Sequence, residues 1–208
     1  SQFRLDGAGQ KSQQIWILPM AGIHNIRNAT AVILLAKHNR LSAEQIQLGF
    51  SSFRGVKRRQ ELRGTINEIW VYDDFAHHPT AVAETIRALR QKHPGKRLCA
   101  VFEPRSNTSV LQIHQEQLVS ALTQADEVLL APPHRAERIP TNERLDVQAI
   151  LHALNSQIPA QALETSAILE HLQTTATSGD VILIMSNGKF DNLHERLLKV
   201  LESETGLA

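Results

Sequence analysis

The chain has 208 residues, 42 % hydrophobic and 21 % charged, which suits one large domain, or a smaller one with an appendage, around a real core. Twenty-two basic residues balance twenty-one acidic ones, and a formal net charge of +1 argues against nucleic acid as a partner. No apolar run approaches the roughly 20 residues of a membrane span, and "SQFRLDGAGQ" lacks the basic-then-apolar order of a signal peptide, so a cytoplasmic protein is expected.

The opening "SQFRLDGAGQKSQQIWILPMAG" reads as two strands around a glycine-containing turn, without an initiator methionine, as if entering the middle of a longer chain. "NIRNATAVILLAK" from Asn25 carries apolar residues at helical spacing. A short helix follows Ser42, with Gln45 three residues on as the partner of a capping box. "FRGVKRRQEL" breaks the pattern with a glycine and a basic cluster and marks the best domain boundary. "RRQELRGTINEIWVYDD" alternates as a hairpin, with Gly64 or Asn67 near its turn.

From there strands and helices alternate. Pro79 opens a helix through about His93. "RLCAVFEP" is a strand, with Cys99 as a buried core residue of a reducing compartment; "VLQIHQEQLVSALTQA" is a helix and "DEVLLAPP" a strand. A helix near 146–155, a strand near 161–165, a helix near 166–176, the strand "GDVILIMSNG" and the helix "NLHERLLKVLES" complete the series. Buried strands separated by amphipathic helices predict an α/β fold, a mostly parallel sheet with helices on both faces. Ligands bind such sheets beyond the carboxyl ends of the strands, where "DDFAHH", "EPRSNT", "PPHRAER" and "SNGKFDN" fall.

These clusters admit more than one reading. Asp73, Asp74, His77 and His78 can serve as acid and base or hold a hydroxylated ligand, or Asp73 or Asp74 can simply satisfy backbone donors beside solvated histidines. Adjacent histidines project poorly onto one metal ion, and no metal site is expected. "GAGQKS" lacks the adjacent Gly-Lys-Ser/Thr and the preceding buried strand of a phosphate loop and reads as a hairpin turn. Asn25 and Asn28 share a helical face able to pair with a purine edge, although Asn25 can equally cap the helix. Arg59 in "KRR" can meet phosphate, and Arg105 after an apolar strand suits a carboxylate or phosphate; Ser106, Asn107 and Thr108 include a helix cap candidate. Ser186 and Asn187 can face a ligand or cap the last helix.

Taken in order, "GIHNIRNATA", "FRGVKRRQE", "YDDFAHHPTAV", "FEPRSNT" and "GDVILIMSNGKF" resemble the Mur ligase family. Within it the pattern is most similar to members that join L-Ala-γ-D-Glu-meso-diaminopimelate to UDP-N-acetylmuramate through an acyl phosphate, in peptidoglycan recycling. The resemblance implies that residues 1–50 are the end of a central ATPase domain and 51–208 a Rossmann-like C-terminal domain. The N-terminal domain, the rest of the central domain, the phosphate loop and most of the site for ATP with Mg2+ would lie outside this chain, which alone would not catalyse. By the same resemblance, His24, Asn25, Asn28, Arg59 and Asp74 contact ATP, Asp74 through the ribose hydroxyls. His77, His78, Arg105, Ser106, Asn107, Ser186 and Asn187 face the peptide substrate. "P-R-S-N-T" replaces the "P-H-R-Y-S-R" pattern of the UDP-N-acetylmuramate–L-alanine ligases, as a longer substrate would require, and Lys189 stands where a second glycine is expected. Those alanine ligases, or a non-catalytic nucleotide- or peptide-binding module, are the alternatives.

Overall fold

The alternation beyond residue 57 produces a six-stranded sheet in the computed structural model, which describes residues 1–6 and 14–205. The turn expected at "GAGQKS" lies outside the described residues. Two compact units are present, Ser1–Val56 and Lys57–Ala208.

In the first unit, β1 (Gln2–Phe3) pairs antiparallel with β2 (Trp16–Ile17), followed by α1 (Ile23–His38) and α2 (Ala43–Ser52). The capping box of α2 is formed: the Gln45 amide donates to Ser42 Oγ at 3.3 Å and the Ser42 amide to Gln45 Oε1 at 2.8 Å. Asn25 is not the cap of α1. That helix begins two residues earlier, after Gly22, and Asn25 Nδ2 donates back to the Ala21 carbonyl at 2.7 Å. Trp16 and Ile33 are fully buried, and Trp16 meets Phe50 edge to face at 6.2 Å. Val32, Leu34, Leu35 and Leu48 remain exposed, so α1 and α2 carry apolar surface outward.

The second unit starts with the hairpin β3 (Glu61–Ile66) and β4 (Ile69–Asp74). Asn67 and Glu68 form its turn at φ 50° and 60°, the left-handed pair that matches strand twist. Gly64 lies not at the turn but within β3, where the register shifts; a Cβ there would stand 2.8 Å from a Leu198 methyl. Next come α3 (Pro79–Lys92), β5 (Leu98–Phe102), α4 (Gln115–Leu122), β6 (Glu127–Leu130), α5 (Val147–Asn155), β7 (Ala160–Ala162), α6 (Thr165–Thr175), β8 (Val181–Met185) and α7 (Leu193–Thr205). The strand expected at 161–165 is therefore shorter and earlier, because Thr165 already belongs to α6. The helix expected from Val110 is also delayed. Val110 closes a turn onto the Ser106 carbonyl and accepts the Leu145 amide at 2.9 Å, and Leu111 is extended in a bridge to Arg144.

The strand order is β3-β4-β8-β5-β6-β7, with β3 antiparallel and every other pairing parallel. Successive residues of each strand face opposite layers. Tyr72, Ala100, Val128 and Leu183 pack with residues of α3, α4 and α5, while Val71, Val101, Leu129 and Ile184 pack with residues of α6 and α7. Truncating a fully buried member such as Leu129 to alanine costs about 2–5 kcal/mol. The helix after β4 covers one face and the helix after its neighbour β8 covers the other. The chain thus leaves β4 and β8 toward opposite faces, the kind of strand end at which open α/β sheets take their ligands.

Candidate functional site at the carboxyl ends of three strands

The end of β4 carries two carboxylates in different settings. Asp73 is 4 % exposed, with Arg58 Nε 3.4 Å from its Oδ2. Asp74 is 2 % exposed and accepts two backbone donors, Ala76 N–H at Oδ1 and Gln60 N–H at Oδ2, each at 2.7 Å. Burial pushes the Asp74 carboxyl above the ordinary 3.8, against the pull of those two donors and of the Arg59 charge. The Phe75 ring is a landing surface for cations, with Arg58 Cζ 5.1 Å and Arg59 Cζ 5.6 Å from its centroid.

The histidines that follow have separate work. His77 Nδ1 lies 3.0 Å from the Phe75 carbonyl, and its ring meets Phe75 edge-on. His78 is the N-cap of α3 and accepts the Thr80 amide at Nδ1, 3.3 Å. That acceptance puts the proton of the neutral ring on Nε2. The His78 ring also meets His114, 4.8 Å between centroids.

Ser186, just past β8, joins the tips. Its amide donates to the Asp74 carbonyl at 3.1 Å, its carbonyl accepts the Arg58 guanidinium, and its hydroxyl donates to Glu103 Oε2 while accepting the Gly188 amide at 2.8 Å. It caps no helix. Neighbouring Asn187 has a buried Oδ1 without a hydrogen-bond partner among the described residues. At the end of β5, Glu103 Oε1 lies 3.3 Å from Arg105 Nη1. Ser106 and Ser109 exchange backbone and hydroxyl bonds at 2.9 and 3.0 Å, closing their own turn rather than capping a helix. Asn107 is exposed beside them.

Asp74, Ser186 and Arg105 are thus linked in one network, Arg59 stands on Phe75, and His77 and His78 line the loop after β4. His24, Asn25 and Asn28 lie on α1 of the first unit: Asn25 is buried, His24 half-buried and Asn28 exposed. Sequence reasoning missed Glu103, Arg58 and Phe75. Glu103 carried a signal, a carboxylate directly after a wholly apolar strand, whereas nothing in "KRR" says which arginine turns inward. Among the described residues no cluster of three or more His, Cys, Asp or Glu can hold a metal ion, and no helix is long and apolar enough to cross a membrane.

Comparison with known proteins bears on the family and the fold. The family described as Mur ligase, glutamate ligase domain, matches residues 58–188. UDP-N-acetylmuramate–L-alanyl-γ-D-glutamyl-meso-2,6-diaminoheptandioate ligase of Haemophilus influenzae is 35 % identical over 205 residues, 97 % of this chain and 43 % of that protein. Its Escherichia coli counterpart is 38 % identical over 204 residues, covering 96 % and 42 %. The crystal structure of a murein peptide ligase from Psychrobacter arcticus superposes with a TM-score of 0.66 at 37 % identity, over 97 % of this chain and 42 % of that one. This chain spans about two fifths of the length of these curated relatives. With the matched domain covering most of the sheet and its tips, the chain belongs to the Mur ligase family.

Proposed function

We propose that this chain is the C-terminal part of an ATP-dependent ligase that joins L-Ala-γ-D-Glu-meso-diaminopimelate to UDP-N-acetylmuramate, a cytoplasmic step of peptidoglycan recycling. The observation that carries the reading is the convergence of Asp74, Ser186 and Arg105 at neighbouring strand ends, in a chain similar to two ligases named for that tripeptide. ATP, with Mg2+, supplies the phosphoryl group that activates the muramate carboxylate toward the peptide amine. This chain binds and orients. The Asp74 carboxylate suits ribose hydroxyls, because each oxygen keeps a lone pair beyond its backbone donor. The exposed Arg59 guanidinium on Phe75 suits phosphate or a purine face. His24, Asn25 and Asn28 are assigned to ATP, the two asparagines to adenine.

The peptide side is assigned to His77, His78, Arg105, Ser106, Asn107, Ser186 and Asn187. A γ-linked tripeptide presents several carboxylates, and Arg105 is a half-exposed guanidinium among neutral hydroxyls and amides that can share them. Closing nucleotide and peptide over one another excludes water from the activated carboxylate. Residues 1–50 are assigned to the end of the central ATPase domain and 51–208 to the C-terminal domain. The exposed Val32, Leu34, Leu35 and Leu48 fit a surface that the rest of that central domain covers.

Calorimetry on this chain tests the peptide assignment. L-Ala-γ-D-Glu-meso-diaminopimelate should bind, more weakly to Arg105→Ala, and free L-alanine should bind far less. The UDP-N-acetylmuramate–L-alanine ligase of Desulforamulus reducens, 33 % identical over 190 residues, supports a second reading. Equal binding of alanine and tripeptide would favour that reading over the first.

A further inference from the structure

Arg105 owes its position to a residue that the binding assignments above leave out. Glu103 is 8 % exposed, and a carboxylate at such burial must be paired. Its two oxygens serve two tips: Oε1 stands 3.3 Å from Arg105 Nη1, and Oε2 accepts the Ser186 hydroxyl. Ser186 Oγ in turn accepts the Gly188 amide at 2.8 Å. Arg105 lies so close against Gly188 that a Cβ there would stand 2.3 Å from the arginine Cδ and Nε. The contacts close a ring from Glu103 to Ser186, Gly188, Arg105 and back.

The ring leaves work for the guanidinium. Among the described residues its only partner is Glu103, met through Nη1, and the side chain is 35 % exposed. A guanidinium anchored at one nitrogen keeps further donors in a fixed plane, the requirement for paired recognition of a carboxylate. Without an anchor the same side chain samples many rotamers and loses that freedom only on binding.

We infer that Glu103 is a positioning residue that holds Arg105 and Ser186 as one unit, so that the guanidinium presents its remaining donors to a carboxylate of the incoming peptide. This rests on the assignment of Arg105 to the peptide side. Glu103 itself is buried, and its two oxygens are turned to Arg105 and Ser186, so its part is to position them.

Steady-state kinetics on the full-length ligase test this. Glu103→Gln keeps the volume and an acceptor for Ser186 but turns an amide donor toward Arg105. The tripeptide KM should rise about tenfold, while kcat and the ATP KM stay within about twofold. Glu103→Asp keeps the charge but reaches neither partner fully, and should show the same split to a smaller degree. In an Arg105→Ala background, Glu103→Gln should add nothing to the tripeptide KM, because coupled residues are not additive. Equal losses for every substrate in both variants, or additive losses in the double variant, would overturn the inference. A wild-type tripeptide KM in Arg105→Ala would instead remove the peptide assignment of Arg105, a separate failure.

Discussion

The Asp74 carboxylate accepts the Gln60 backbone N–H at 2.7 Å, fastening the segment that enters the sheet domain to the far end of β4. Gln60 has φ 48°, and the left-handed bend aims its amide at the carboxylate. On the function proposed above, Asp74→Asn in the full-length ligase should raise the ATP KM about tenfold or more and leave the tripeptide KM near wild type. An unchanged ATP dependence would return Asp74 to a purely architectural role. Stability carries a second signature. Burial raises the Asp74 pKa above 3.8, so its contribution is full below 3.8 and is lost as pH rises through the folded value. Wild type should therefore gain stability relative to Asp74→Asn as pH falls from neutral toward 3.8, readable in urea titrations.

At the opposite end of the sheet, Arg97 pairs with Glu127 at 2.6 Å and Asp180 at 2.5 Å, and His171 Nε2 meets Glu127 at 2.8 Å. The two carboxylates are 9 % and 6 % exposed, whereas Arg97 is 37 % exposed. Arg97→Met leaves both acids without their cation. Breaking a buried pair costs about 3–5 kcal/mol, and the partial exposure of the arginine reduces this to about 2–3 kcal/mol. Urea unfolding should show that loss, with substrate KM values unchanged in the folded enzyme.

The order of these elements was legible because it follows from local pattern. Ser42 and Gln45 announce a capping box, Pro79 announces a helix start, and wholly apolar strands announce a two-faced sheet. The Val110–Leu111 segment was not legible. Its helical spacing is outweighed by pairing with Arg144 and Leu145, a contact that only the tertiary fold creates. Gly64 misled for a similar reason, since the methyl that excludes a Cβ there belongs to Leu198 in the last helix. At the strand ends the candidate polar residues were readable, but their partnerships were not. That Ser186 joins Glu103 to Asp74 depends on the insertion of β8 between β4 and β5, and adjacency in sequence carries no trace of it.

Tyr72 Oη and His93 Nε2 are 2.9 Å apart, and the Trp70 ring lies 4.8 Å from the imidazole. Burial lowers the His93 pKa below 6.5, and the Lys92 and Lys96 charges lower it further. The neutral ring is favoured in the folded state, so the stabilising contribution is full above 6.5 and is lost as pH falls through the folded value. NMR titration should place the His93 midpoint below 6.5, and Lys96→Gln should move it upward by removing one repelling charge. A midpoint at or above 6.5 in wild type would contradict the environment described.

Gly188 is the residue against which Arg105 rests, and its backbone has no positive φ that would exclude a side chain. The three atoms nearest a methyl at 188 all belong to Arg105, with Cδ and Nε each at 2.3 Å. The arginine is flexible and partly exposed, so it moves rather than the fold. Gly188→Ala should cost no more than about 1 kcal/mol in stability. The displaced guanidinium loses its fixed plane, and the tripeptide KM should rise about tenfold with the ATP KM unchanged. Because the Ser186 hydroxyl keeps its bond to Glu103, the effect should vanish in an Arg105→Ala background, where no side chain remains to be displaced. A Gly188→Ala enzyme with wild-type tripeptide kinetics would show that the berth of Arg105 has no part in holding the peptide.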